Sequence, residues 1–331
     1  MTESNPVTTR RRVLAAAGVG IGLQTGRALG QQQLGPPSHA KGPLVFLNYD
    51  QIELDAAYNQ SVYEPNIAQV TARLSSNSEA ARKRIGQPQR ESYGSTKIEK
   101  LDVFRAKQPK GPTFVFIHGG AWRAGVASDY SYIAELFVNA GAHCAIPDFS
   151  WVTDADSGLM TMADQVRRAI VCAYRNAESF GGDPARFYIG GHSSGAHLAG
   201  VALTTDWHKD FGLPRDFIRG GLCISGMYEL KPVRLSSRNS YVKMDDLTEE
   251  ALSPQRHLDQ LNTPLVLAYG TFETPEFQRQ TRDFAAAVKA AGKPVQLIIG
   301  ENYAHMEMVE SLGNPYGPMG REALRLINLS A

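Results

Sequence analysis

The sequence predicts an α/β fold, a mostly parallel central sheet with helices on both faces. Two observations lead there. Short runs of β-branched and aromatic residues recur from about residue 97 onward, and amphipathic helical patterns fall between them. Thr113–His118 (TFVFIH) is the clearest run. It is continuously apolar rather than alternating, as a strand buried on both faces should be. Ala142–Ile146 and Phe187–Ile189 are shorter examples, and Lys97–Phe104 reads as an alternating strand. Gly221–Ser225, Leu265–Tyr269 and Val295–Ile299 complete the set.

The helices follow the same rhythm. Asp129 is a candidate N-cap for a helix running to Asn139, which Gly141 would end. Across 160–179, Met162, Val166, Ile170, Ala173 and Ala177 share one helical face. A further helix after Pro275 places Phe277, Thr281, Phe284 and Val288 on one side. Two segments break the pattern, residues 44–96 and 227–262. Ligands bind such sheets at the carboxyl ends of the strands, so both segments are expected as cover there.

Composition narrows the class. The chain has 331 residues, a length that large α/β sheets reach as one domain, and we expect one such domain over 44–331. A net charge of +1 gives no reason to expect nucleic acid or an anionic membrane as partner. Cys144, Cys172 and Cys223 each sit in an apolar stretch and read as buried, reduced thiols. No HxH, HExxH or clustered Cys/His spacing implies a metal, and no cofactor is expected.

Residues 1–30 read as an export signal. Thr9-Arg10-Arg11-Arg12-Val13-Leu14 resembles the twin-arginine pattern, and an apolar stretch follows to Leu23. That stretch is too short and Gly-rich for a stable membrane-spanning helix. Ala28-Leu29-Gly30 supplies small residues for cleavage before Gln31. No cysteine follows, which argues against a lipid anchor. The expectation is a periplasmic or secreted protein handled by the twin-arginine machinery, with residues 31–43 as a flexible linker.

Three segments carry the chemistry. Gly191-His192-Ser193-Ser194-Gly195 lies between the strand FYIG and the helix pattern AHLAGVAL. This is G-x-S-x-G in strand–turn–helix context. The turn is tight enough that residues two positions from the serine must lack side chains, and Ser193 Oγ is presented at a helix N-terminus. His118-Gly119-Gly120-Ala121-Trp122 follows the strand TFVFI and resembles the H-G-G-G loop of lipases and esterases. The resemblance implies an oxyanion hole from the N–H groups of Gly120, Ala121 and Ser194. His118 reads as a shaper of that loop, and His197, one turn after Ser193, as a packing residue more than a pocket floor.

Together these segments are similar to α/β-hydrolase serine esterases. HGGAW with GHSSGAH looks most like the arylformamidase (kynurenine formamidase) group, with further similarity in Leu54-Asp55-Ala56-Ala57-Tyr58-Asn59, Gly181-Gly182-Asp183-Pro184 and Pro275-Glu276-Phe277. The resemblance implies the chain order Ser, acid, His. His305, after the last strand, is then the base, and His257 lies in the wrong order. Glu273, nearest the end of LVLAY, is the expected acid, with Glu276, Asp259 and Asp283 as alternatives. Trp122, Phe149, Trp151 and Tyr228 follow strand ends and would line an apolar pocket, although core packing explains them nearly as well. The expected activity is cleavage of carboxylic esters through an acyl-enzyme on Ser193. Hydrolysis of N-formyl-kynurenine-like amides is second, and a silent ligand-binding protein on the same fold is the rival of another class. Acyl transfer to an alcohol would use the same acyl-enzyme.

Overall fold

The structure is a computed structural model that describes Met1, Gly35, Pro36 and residues 38–330. The chain separates into two units, Met1–Gln33 and Leu34–Ala331. The export signal expected at residues 1–30 therefore lies, apart from Met1, outside the described residues. Among the described residues no helix is long and apolar enough to cross a membrane.

The second unit is built on an eight-stranded sheet. A small hairpin, β1 (Leu44–Phe46) and β2 (Tyr49–Asp50), precedes it. The sheet strands are β3 (Gln89–Ser92), β4 (Lys100–Phe104), β5 (Gly111–Ile117), β6 (His143–Pro147), β7 (Gly182–His192), β8 (Ile218–Ile224), β9 (Leu265–Gly270) and β10 (Val295–Gly300). Their spatial order is β10-β9-β8-β7-β5-β6-β4-β3. The β3–β4 and β4–β6 pairs are antiparallel and the rest parallel. The α/β expectation and every expected strand are met. β3 was not expected, and its four exposed residues explain why: it is a polar edge strand with no apolar signature.

The period-two geometry of β5 divides the core. Val115 and Ile117 pack into one apolar cluster with Met162, Val166, Leu198 and Phe277. Phe114 and Phe116 pack into another with Ile133, Phe137, Met308 and Leu324. Helices therefore cover both faces: α4 (Leu159–Arg175), α5 (Ser194–Leu203) and α10 (Pro275–Ala290) on the first, and α3 (Ser131–Ala140), α11 (His305–Glu310) and α12 (Pro318–Leu326) on the second. The faces of α4 and α10 read from the sequence are buried, with Met162, Ile170, Phe277, Thr281, Phe284 and Val288 at 0% exposure. Thr274 caps α10 by accepting the Phe277 N–H.

One cap is corrected. Asp129 does not begin α3. It sits in a 3₁₀ turn over Ala127–Tyr130 and accepts the Ser75 hydroxyl at 3.0 Å, and α3 starts at Ser131 without a side-chain cap. Gly141 ends the helix as expected, left-handed at φ 92°. The described end of the 31–43 segment is irregular but tethered: the Gly42 N–H donates to Asp50 Oδ2 at 2.8 Å, and Lys41 Nζ to the Asn48 carbonyl at 2.6 Å. The three thiols are free, Cys144 and Cys223 buried and Cys172 half-buried.

The two irregular segments meet over the strand ends. The first carries α1 (Gln51–Ala57) and α2 (Ile67–Ile85); the second, which follows α6 (Trp207–Phe211), carries the short helices α7 (Lys231–Leu235), α8 (Asn239–Val242) and α9 (Asp246–Ala251). Gln51 Nε2 donates to the Leu235 carbonyl at 3.0 Å, the Ser237 N–H to Asp55 Oδ1 at 2.6 Å, and Arg238 Nη2 to the Tyr58 carbonyl at 2.7 Å.

Candidate active site

β5 lies between β6 and β7, so the chain leaves it on one side and returns on the other. Such a switch point opens a crevice at the carboxyl ends of the strands. The H-G-G loop leaves β5 there and the serine elbow leaves β7, with Ile117 paired to Gly191 across the two strands. A cavity of about 1070 Å³ opens at this place. Ser193, His192, His305, Gly120 and Ala121 line it, joined by residues of both irregular segments, Asp55 to Ser75 on one side and Ser237 to Tyr241 on the other.

Ser193 has φ 57° and ψ −124°, a conformation that L-residues rarely adopt and that costs about 1–3 kcal/mol. The surroundings impose it. The Ser193 N–H donates to the Ile224 carbonyl at 2.9 Å, which fixes the elbow to β8. A Cβ on Gly191 would lie 2.4 Å from the Gly195 carbonyl oxygen, and one on Gly195 would lie 2.1 Å from that of Ile117. Both flanking glycines are thus required by backbone contact. Gly195→Ala should lower stability by about 1–3 kcal/mol, read as a fall of several degrees in Tm by calorimetry. An unchanged Tm would mean that the elbow has room to relax.

The loop after β5 is held in an unusual path. Gly120, Ala121 and Trp122 all have positive φ, at 131°, 52° and 61°. The Trp122 N–H donates to Ser194 Oγ at 3.3 Å, joining the loop to the elbow. The N–H groups of Gly120 and Ala121 have no partner among the described residues. Ser194 is the first residue of α5, so its N–H has no carbonyl within the helix. The three N–H groups expected to face an oxyanion are thus unspent.

The expected base and the expected acid are brought together. His305 Nδ1–H donates to Glu273 Oε2 at 2.8 Å. Glu273 Oε1 accepts the Ser225 hydroxyl at 2.6 Å and the Gly270 N–H at 2.7 Å. The carboxylate is fully engaged, and its direction is set by the end of β9. Burial raises the Glu273 carboxyl to about 7. Burial lowers His305, and the Arg238 guanidinium acts in the same direction. The resting imidazole is therefore neutral, with Nδ1 protonated and Nε2 left as a lone pair. The alternatives for the acid are occupied elsewhere: Glu276 accepts both forks of Arg279 and Asp283 pairs with the same arginine, while Asp259 accepts from Gln260.

Three other histidines weighed in the sequence are bonded away from the chemistry. His118 donates from Nδ1 to the Gly119 carbonyl at 2.9 Å and stacks between Tyr130 and Phe149. His197 donates from Nε2 to the Leu252 carbonyl and accepts Trp122 Nε1–H at Nδ1. His257 lies outside the cavity, on the Glu250 carbonyl.

The four aromatic residues read as pocket walls do not line the cavity. Trp122 is buried on His197, Phe149 on His118, and Tyr228 against Phe284, while Trp151 donates to the Gly125 carbonyl. Trp122, Phe149 and Tyr228 are core residues, and Trp151 is half-buried. Sequence reasoning missed other neighbours of the site. His192 donates from Nε2 to the His305 carbonyl at 3.0 Å, and its buried Nδ1 has no partner among the described residues. Glu64 accepts the Met306 N–H at 3.1 Å and so holds the start of α11, its carboxyl raised by burial to about 7. Gln60 and Arg238 complete the list. Tyr58-Asn59, part of the family-like stretch, was the one sequence signal close to them.

A family model described as BD-FAE matches residues 101–219. A kynurenine formamidase from Danio rerio is 29% identical over 292 residues, covering 84% of this chain and 97% of that protein. One from Salmo salar is 30% identical over 231 residues, 66% of this chain and 75% of that protein. The chain belongs to the kynurenine formamidase family. A solved structure provisionally named a thioesterase, from Silicibacter sp. tm1040, superposes with a TM-score of 0.72 at 23% identity, covering 83% of this chain and 99% of that one. This member of the kynurenine formamidase family is thus an α/β-hydrolase in fold and a hydrolase of ester or amide bonds in class.

Proposed function

We propose that the chain cleaves carboxylic esters through an acyl-enzyme on Ser193. The observation that carries the reading is the 2.8 Å His305–Glu273 hydrogen bond at the cavity where the strained Ser193 lies. Glu273 orients His305, whose Nε2 takes the Ser193 proton as Oγ attacks the carbonyl carbon. The oxyanion is met by the N–H groups of Gly120, Ala121 and Ser194, each such donor being worth about 3 kcal/mol of barrier. His305 then protonates the departing alcohol, and water, deprotonated by His305, releases the acid.

The likeness to two formamidases favours a second reading, hydrolysis of aryl formamides by the same steps. The twin-arginine-like leader supports a periplasmic site, away from an intracellular kynurenine pathway, and places esters first. Rates on p-nitrophenyl acetate, p-nitrophenyl octanoate and N-formyl-kynurenine choose between the readings. Peptide mapping after reaction with a p-nitrophenyl phosphonate should place the adduct on Ser193. An adduct elsewhere, or no adduct with active protein, sinks the acyl-enzyme. No turnover and no adduct would favour a binding role.

A further inference from the structure

Arg238 lines the same cavity as Ser193, His192 and His305, and nothing in the hydrolytic steps employs it. Its Nε and Nη2 donate to the Tyr58 carbonyl at 3.2 and 2.7 Å. Among the described residues Nη1 has only the Met227 thioether, at 3.8 Å, a weak acceptor. The rings of Tyr58, Phe277 and Trp122 lie 5.3, 5.7 and 5.8 Å from Cζ. No carboxylate comes within ion-pair distance among the described residues, whereas Arg256 meets three and Arg279 two. A guanidinium drawn from water with no counter-charge is unfavourable unless something else gains from it.

A second donor, lining the same cavity from the other cover segment, is also unspent. Gln60 is 6% exposed, and its Oε1 accepts the Thr274 N–H at 3.4 Å while Nε2 has no partner among the described residues. The two carboxylates on the wall are engaged, Asp55 with the Ser237 N–H and Asp129 with the Ser75 hydroxyl. A second arginine on the wall, Arg123, is exposed and stacks on Tyr241 at 4.2 Å. The cavity therefore offers the Nη1 end of a guanidinium and an amide donor, and among the described residues no anion to satisfy them.

We propose that Arg238, with Gln60, binds a carboxylate of the substrate, so that the preferred esters or amides carry a free carboxylate beside the scissile bond. This rests on the hydrolytic reading of the cavity. A planar fork with one positive charge matches a carboxylate in shape and charge. The same guanidinium lowers the basicity of His305, so a bound carboxylate also offsets a charge that weakens the base.

The test compares esters that differ only in that charge. On the acyl side these are the p-nitrophenyl hemiesters of succinate, glutarate and adipate, each against its methyl ester. On the leaving-group side they are O-acetyl-4-hydroxyphenylacetate and its methyl ester. For at least one pair, kcat/KM should favour the anion in wild type. That ratio should fall about ten-fold or more in Arg238→Gln, chiefly through KM, with Arg238→Lys between them. Taking the ratio within each protein cancels any loss from a disturbed cover. Neutral esters turned over, with ratios unchanged by Arg238→Gln, would overturn the carboxylate site and leave hydrolysis standing. If no ester is turned over, the hydrolytic reading fails and binding decides. Calorimetric titration of each pair into Ser193→Ala, with and without Arg238→Gln, should favour the anion only where Arg238 is present. Equal affinities overturn the proposal.

Discussion

Ser193→Ala should lower kcat on p-nitrophenyl acetate by a factor on the order of 10⁵ to 10⁶, leaving only what the N–H groups and binding supply. The loss is large because the serine, its base and the orienting acid act as one unit. Removing Oγ leaves His305 with no proton to take and the carbonyl with no nucleophile. The fold should survive, since the elbow is set by the Ser193 N–H on Ile224 and by the backbone contacts of Gly191 and Gly195, none of which involves Oγ. Circular dichroism and Tm close to wild type, with steady-state turnover lost, are the expected pair of results. Turnover retained at wild-type level would remove Ser193 from the chemistry.

Glu273→Gln should lower kcat by about 10³- to 10⁴-fold, because an amide no longer stabilises the imidazolium and can hold the wrong tautomer. It should also move the pH profile. The productive wild-type state has Glu273 ionised and His305 neutral. Burial raises Glu273 to about 7, so the pair binds its first proton there, and that proton destroys the base. kcat/KM should therefore fall as pH drops through about 7, with a one-proton slope. In Glu273→Gln only His305 remains to titrate, and burial with Arg238 holds it below the ordinary imidazole value. The acid limb should move below pH 6.5 even as the plateau drops. A limb fixed near 7 in both proteins would assign it to another group, such as Glu64, which burial also raises to about 7.

Much of the fold was legible because fully buried parallel strands write continuous apolar runs; TFVFI is buried along its length. The elbow and the H-G-G loop were legible because backbone contact demands glycine, as the 2.1 Å approach to Gly195 makes plain. Glu273 was harder. Three other carboxylates stood within reach in sequence, and only the hydrogen bond to His305 separates them. The aromatic residues misled because a large ring after a strand end is equally suited to core and to pocket. Arg238 and β3 gave no signal: one is a charge in a segment without periodicity, the other a strand without apolar residues. What their environment requires of them comes from partners far along the chain.

That distance bears on how the protein assembles. Gln51 meets Leu235 across 184 residues, Ser237 meets Asp55 across 182 and Arg238 meets Tyr58 across 180. Loops of that length gain little until the intervening strands have already paired. The roof of the cavity is therefore expected to close late in folding, onto a sheet that is already built. The same few links, mostly near solvent, are the natural place for the native chain to breathe without unfolding. Hydrogen exchange should find the amide of Ser237 opening at lower cost than those of Val115 or Ile189 in the central strands. Reactivity would then be stored in a rigid frame, and admission of substrate governed by a seam that the frame does not need for its own stability.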